Sequence, residues 1–212
     1  MIDSYITVAG FSREEIIISK SRFIGYISPC EDESSALAFL QRIREEHKTA
    51  THHCYAYIIG INSGIMRYSD DGEPGGTAGM PILDVLRSKH AVNCCIVIVR
   101  YFGGVLLGTG GLVRAYTKTA QAALEAAGLA SMERTSVSEC DIPYSVWDKV
   151  RYTAGHLPVR IDNVRFGSSV SFQLYFRNGD GDAVLPQITE ASDRKIRITP
   201  LDDCYIPWKI ET

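Results

Sequence analysis

Hydrophobic and polar positions change period several times along the chain, and each change marks an element. Residues 14–28, EEIIISKSRFIGYIS, read as two extended runs broken at Ser19–Lys20–Ser21. From 32 to 47 the period is helical: Ala36, Leu37, Leu40 and Ile43 recur at helical spacing, and acidic residues occupy the first turn. The stretch 51–60, THHCYAYIIG, is rich in strand formers, and 64–76 reads as a short strand running into a turn-rich loop. A helix is predicted over 77–90, with Thr77 as its N-cap and Ile82, Leu83, Val85 and Leu86 as its apolar face. NCCIVIVRYF, 93–102, is continuous apolar sequence between turn signals, which suits a strand buried on both faces. A glycine-rich turn at 103–111 then leads into a helix over 112–128, stopped by Gly128.

From about residue 135 the pattern changes. SVSECDI is strand-like, and PYSVWDKVRYTAG is helical, with Pro143 near its first turn and Gly155 at its stop. VRIDNVRF and SSVSFQLYF form two strands joined near Gly167, NGDGDAVLPQITEAS a helix broken or delayed by Pro186, and KIRITPL a last strand. The order β-α-β-β-α-β is the split, ferredoxin-like arrangement. The expected fold class is therefore α+β in two domains, residues 1–132 and 135–212, with a linker in the polar stretch 131–134.

Composition narrows the function without naming it. With 45% hydrophobic and 22% charged residues the chain is ordinary globular material, and its formal net charge of −3 argues against coating nucleic acid by bulk charge. No apolar run reaches the length of a membrane span, and the start lacks the basic-then-apolar order of a secretory signal, so a cytoplasmic location is expected. The six cysteines show no CxxC and no metal-ligand spacing, which points to buried, reduced thiols.

Two loops carry the candidate chemistry. In SDDGEPGGTAGMP, Asp70, Asp71 and Glu73 stand beside Gly75 and Gly76 just before a helix. Three carboxylates there could hold Mg²⁺ as hard oxygen ligands, or could serve only as turn formers and helix-dipole partners. In RYFGGVLLGTGGLVRAY, a buried strand runs through Gly103, Gly104, Gly108, Gly110 and Gly111 into a second helix. Glycines before a helix let an anion approach exposed backbone N–H groups, but glycines also cluster in tight turns that bind nothing. Arg114 and Lys118 lie one turn apart on that helix. With Arg100, Tyr101, Phe102 and Tyr116 they could form a phosphate-and-stacking surface for RNA, or a solvated face over packed aromatics.

On a strand, His52 and Cys54 share one face, while His53 and Tyr55 share the other. A packed thiol beside a satisfied histidine suits that pattern better than a nucleophile pair, and no GxSxG or HExxH is present.

Three segments in order, THHCYAY (51–57), SDDGEPGGTAGMPIL (69–83) and VRYFGGVLLGTGGLVRAY (99–116), resemble the signature of the YigZ/IMPACT family. The resemblance implies an N-terminal two-layer α/β domain similar to the second domain of a small-subunit ribosomal protein. It also implies a C-terminal domain similar to the last domain of elongation factor G. Eukaryotic members are translation regulators. A non-enzymatic binding protein is thus the expected function, with ribosome, RNA or a translation-regulating protein as partner and no cofactor. The matching positions are Asp70, Asp71, Glu73, Gly75, Gly76, Arg100, Tyr101, Gly103, Gly104, Gly108, Gly110, Gly111 and Arg114. The alternative is a metal-dependent enzyme of phosphate or peptide chemistry built on the Asp70/Asp71/Glu73 loop.

Overall fold

A computed structural model describes residues 3–208, which form an α+β architecture with two antiparallel sheets and five helices among them. The chain divides into two units, residues 5–131 and residues 132–208 together with Asp3 and Ser4.

The larger unit runs through most of β1 (Ser4–Val8), then β2 (Ser12–Ile18), β3 (Ser21–Pro29), α1 (Glu33–Glu46), β4 (His52–Ile59), β5 (Ile65–Ser69), α2 (Gly79–Ser88), β6 (Cys94–Tyr101) and α3 (Gly108–Ala127). Its sheet has the order β2-β3-β6-β4-β5, with every neighbouring pair antiparallel. Alternation along β6 sends Cys94, Ile96 and Ile98 to one face and Cys95, Val97 and Val99 to the other, and all six are fully buried. The first three pack with Ile82 and Leu86 of α2 and with Ala115, Tyr116 and Ala120 of α3. The second three pack with Ala36, Phe39, Leu40 and Ile43 of α1. At about 1.5–3 kcal/mol for each fully buried aliphatic side chain, this one strand anchors both layers of helices.

The unit is therefore three layers deep, a correction of the two-layer expectation. The physical cause is α1, whose apolar stripe needs a sheet face of its own. That stripe includes Phe39 rather than the expected Leu37, which is 47% exposed. Asp32 and Ser35 start α1 with a reciprocal capping box, the Asp32 carboxylate accepting from the Ser35 N–H at 2.7 Å.

The smaller unit contains most of β7 (Leu129–Ile142), then α4 (Tyr144–Ala154), β8 (Val159–Phe166), β9 (Val170–Arg177), α5 (Gly181–Ala191), β10 (Arg197–Pro200) and β11 (Cys204–Pro207). The order from β7 to β10 is β-α-β-β-α-β. Here the sheet hides one face only: Val170, Phe172, Leu174 and Phe176 of β9 are buried against Val146 and Val150 of α4 and Val184 and Ile188 of α5. The alternate β9 residues stay half-buried.

Two expectations change here. The polar stretch 131–134 is no linker but part of β7, because β11 pairs with it, Tyr205 opposite Arg134 and Ile206 opposite Glu133. Pro186 does not break α5, which continues past it. An interior proline costs a helix about 3 kcal/mol, and the buried Val184, Ile188 and Ala191 hold the segment in place against that cost.

Candidate functional site

The strand pairings bring the site together. Arg100 near the end of β6 stands opposite Phe23 of β3 and His52 of β4, so all three side chains lie on the face covered by α2 and α3. A charged side chain on that face needs a partner, and Glu73 supplies it. Arg100 Nη1 donates to Glu73 Oε1 at 2.6 Å, with side-chain exposures of only 6% and 3%. Tyr116 of α3 donates its hydroxyl to the same oxygen at 2.7 Å. The guanidinium carbon sits 5.3 Å from the Phe23 ring centroid and 5.5 Å from that of Phe102. Arg100 Nε is buried without a hydrogen-bond partner, the single such side-chain atom among the described residues.

His52 Nδ1 lies 2.8 Å from the Asp71 carbonyl. A carbonyl only accepts, so Nδ1 carries the proton, and Nε2 faces Glu73 Oε1 at 3.9 Å. Cys54, two residues along β4, is fully buried and donates to the Asp70 carbonyl at 3.0 Å, its sulfur lying 3.3 Å from the Tyr116 hydroxyl. Burial pushes its thiol well above the ordinary range. It is a packed thiol and no nucleophile.

The three carboxylates of the first loop, Asp70, Asp71 and Glu73, diverge toward different partners. Asp70 Oδ1 accepts from the Ala78 and Gly79 N–H groups at 3.0 and 2.8 Å, and its Oδ2 from Gly76 at 2.9 Å. Burial opposes its ionisation, but these three donors together hold the carboxyl below the usual range. Asp70 thus caps α2, whose first flanking residue, Ala78, offers no side-chain bond. The expected cap, Thr77, instead donates to the Pro74 carbonyl at 2.6 Å. Asp71 accepts from the His53 N–H at 2.6 Å and from Arg44 at 3.4 Å. With Glu73 facing Arg100, no three His, Cys, Asp or Glu side chains among the described residues are grouped to hold a metal ion.

In the second loop the residues offered for a surface separate. Arg100 and Tyr116 are buried, and Tyr101 lies on the opposite sheet face, its hydroxyl 2.8 Å from His47 Nδ1, so these three form no exposed surface. Arg114 and Lys118 are exposed on α3 and make no ion pair among the described residues. The helix begins earlier than expected, which places Gly108, Gly110 and Gly111 in its first turn. Gly103 is structural: a Cβ there would lie 2.1 Å from the Lys20 backbone. A Cβ on Gly75, Gly76, Gly104 or Gly108 would meet nothing within 4 Å, and on Gly110 only the end of Arg114 at 3.6 Å. The residue before α3, Leu107, gives no side-chain cap, so the first N–H groups of the helix stay open.

Between this helix start and the buried pair lies a cavity of about 410 Å³. Arg100, Glu73 and His52 line its buried end, Pro74, Phe102, Leu106, Leu107 and Leu112 give it apolar walls, and Gly108, Thr109 and Thr51 complete it. Sequence reasoning named Arg100 and Glu73 but neither their pairing nor the cavity. The available signal was a lone arginine ending an otherwise apolar strand.

Comparison with known proteins follows the same segments. Residues 19–124, half of the chain, match the family model described as the Impact N-terminal domain. The "IMPACT family member YvyE" of Bacillus subtilis (strain 168) is 36% identical over 97% of this chain and 95% of its own length. "Protein IMPACT-A" of Xenopus tropicalis is 35% identical over 45% of this chain and 31% of its own. A solved structure described as "Crystal structure of an hypothetical protein" superimposes with a TM-score of 0.62 at 28% identity, covering 95% of this chain and 99% of that one. With its full-length relative, its matched domain and the three motif segments in place around the Arg100–Glu73 pair, the chain belongs to the IMPACT family.

Proposed function

We propose that this protein is a non-enzymatic, cytoplasmic binding protein associated with translation and its regulation, and that it contacts ribosomal RNA through the exposed face of α3. The observation that carries this reading is the pair Arg114 and Lys118. They stand one turn apart, exposed, with no acidic partner among the described residues, and they follow an uncapped helix start. Cations left free of internal ion pairs are available to phosphate, and the N–H groups of the first turn add to the same field. Membership of a family whose eukaryotic members are translation regulators supports the setting. The β7-α4-β8-β9-α5-β10 order supports a ferredoxin-like reading of the smaller unit, similar to the last domain of elongation factor G. The five-stranded sheet with α2 and α3 on one face supports the likeness to a ribosomal-protein domain.

Co-sedimentation of the purified protein with ribosomes at low and moderate salt tests the reading. Binding should fall steeply with salt, because phosphate contacts release counterions, and should be lost in the Arg114→Glu/Lys118→Glu double variant. Binding that is flat with salt, or unchanged in the double variant, would overturn it in favour of a protein partner.

A further inference from the structure

We propose that the cavity beside the Arg100–Glu73 pair binds a small, neutral aromatic primary amide, with the NH₂ group at the buried end and the ring against the apolar walls. Neither Arg114 nor Lys118 lines this cavity, so the site goes beyond the ribosomal reading and stands without it.

The buried end is rich in acceptors. Glu73, its side chain 3% exposed, takes the hydrogen bonds of Arg100 and Tyr116 on Oε1, and no donor among the described residues reaches Oε2. Arg100 Nε is the single side-chain atom among the described residues that is both sealed and unpartnered. Glu73 Oε2, equally unpartnered, is therefore not sealed, and it opens into the cavity that Glu73 lines. A second acceptor stands nearby. The Asp71 carbonyl fixes the proton of His52 on Nδ1, which leaves Nε2 of the neutral ring with a lone pair and no donor. That nitrogen lies 3.9 Å from Glu73 Oε1, and His52 lines the same cavity. Arg100 is turned to Glu73 and Ser21 and serves as the counter-charge of the carboxylate.

Two neighbouring acceptors without donors call for a group with two hydrogens to give. A carboxylate has none, and a hydroxyl has one. An ammonium or guanidinium has enough, but it would add a cation beside Arg100 where Glu73 is already neutralised, and an uncompensated buried charge is costly. A neutral NH₂ meets the requirement, and in an amide it is planar and accompanied by a carbonyl. Thr51 suits that carbonyl: its Oγ1 accepts the Phe102 N–H at 3.2 Å, its hydroxyl hydrogen stays available, and it lines the cavity next to His52. Beyond these polar groups Pro74, Phe102, Leu107 and Leu112 offer apolar surface to a flat ring, and the volume of about 410 Å³ falls within the small-ligand range.

Isothermal titration of the full chain with benzamide, acetophenone and benzoate tests the assignment, because the three differ only in carrying NH₂, CH₃ or O⁻ at one position. Benzamide should bind saturably at one site, about tenfold or more tighter than either analogue: acetophenone leaves both acceptors without a donor, and benzoate sets an anion against Glu73. Phe102→Ala removes a wall residue that is 46% exposed and should weaken benzamide binding with little change in thermal unfolding. Glu73→Gln keeps an oxygen for Arg100 and Tyr116 and puts an N–H donor where Oε2 stood, so benzoate should then bind more tightly than benzamide. Should that variant fail to fold, the three ligands on the wild-type chain decide the matter. Absence of saturable benzamide binding, equal affinity for acetophenone or benzoate, or full benzamide affinity in Phe102→Ala would overturn the proposal. A folded Glu73→Gln chain that still prefers benzamide to benzoate would overturn it too.

Discussion

The two glycine-rich loops look alike as sequence: each leaves a strand, gathers glycines and enters a helix. Their helix starts have opposite fates. In the loop before α2 a carboxylate reaches over from Asp70 and takes the N–H groups of Gly76, Ala78 and Gly79. Asp71 and Glu73 are bound to His53, Arg44 and Arg100. That loop is satisfied from within. The loop before α3 contains no acid at all, and among the described residues no side chain caps the helix it feeds. Glycine content alone does not separate a structural turn from an anion site. The presence or absence of an internal carboxylate does.

This contrast can be broken at its strongest point by Glu73→Ala, which leaves the Arg100 guanidinium buried and unpaired. A loss of about 3–5 kcal/mol in urea unfolding is expected. A loss under about 1 kcal/mol would mean that water reaches Arg100, and that the first loop is not the closed structure described above. Next in size is Asp70→Ala, which removes the cap of α2 at a cost of about 1–2 kcal/mol. Because the folded carboxyl is held below its ordinary value, its contribution is complete above the unfolded pKa and disappears as pH falls through the folded one. Stability curves of wild type and Asp70→Ala should therefore converge toward acid pH, and a constant gap would contradict the cap. The smallest effect should come from the other loop. Gly110→Ala places a Cβ in α3 in ordinary contact with the end of Arg114 at 3.6 Å and should raise stability by about 0.5–1 kcal/mol in a thermal melt. A stability loss there would mean that the start of α3 is constrained by more than its own helix.

Much of this was readable in advance, for local reasons. The unbroken apolar run of β6 announced burial on both faces, and the spacing of Ala36, Leu40 and Ile43 announced the inward stripe of α1. What escaped depends on partners distant in sequence. Asp70 caps a helix that begins nine residues later, so Thr77 looked like the obvious candidate. Glu73 and Arg100 stand 27 residues apart, and only the return of β6 alongside β4 lets them meet. Residues 131–134 are polar enough for a linker, yet β11 gives their backbone a partner. Tyr116 stood between a stacking surface and a packed aromatic because its hydroxyl partner, Glu73, lies 43 residues away.

β6 has a consequence for how the larger unit breathes. Its backbone is paired with β3 on one side and β4 on the other, and each of its faces is sealed by a separate layer of helices. No local fraying can bring deuterium to amides held from four directions. Those of Ile96, Val97 and Ile98 exchange only when both cores come apart together. The strand that joins the layers thus makes them a single cooperative unit, and its slowest amides report the global stability of that unit.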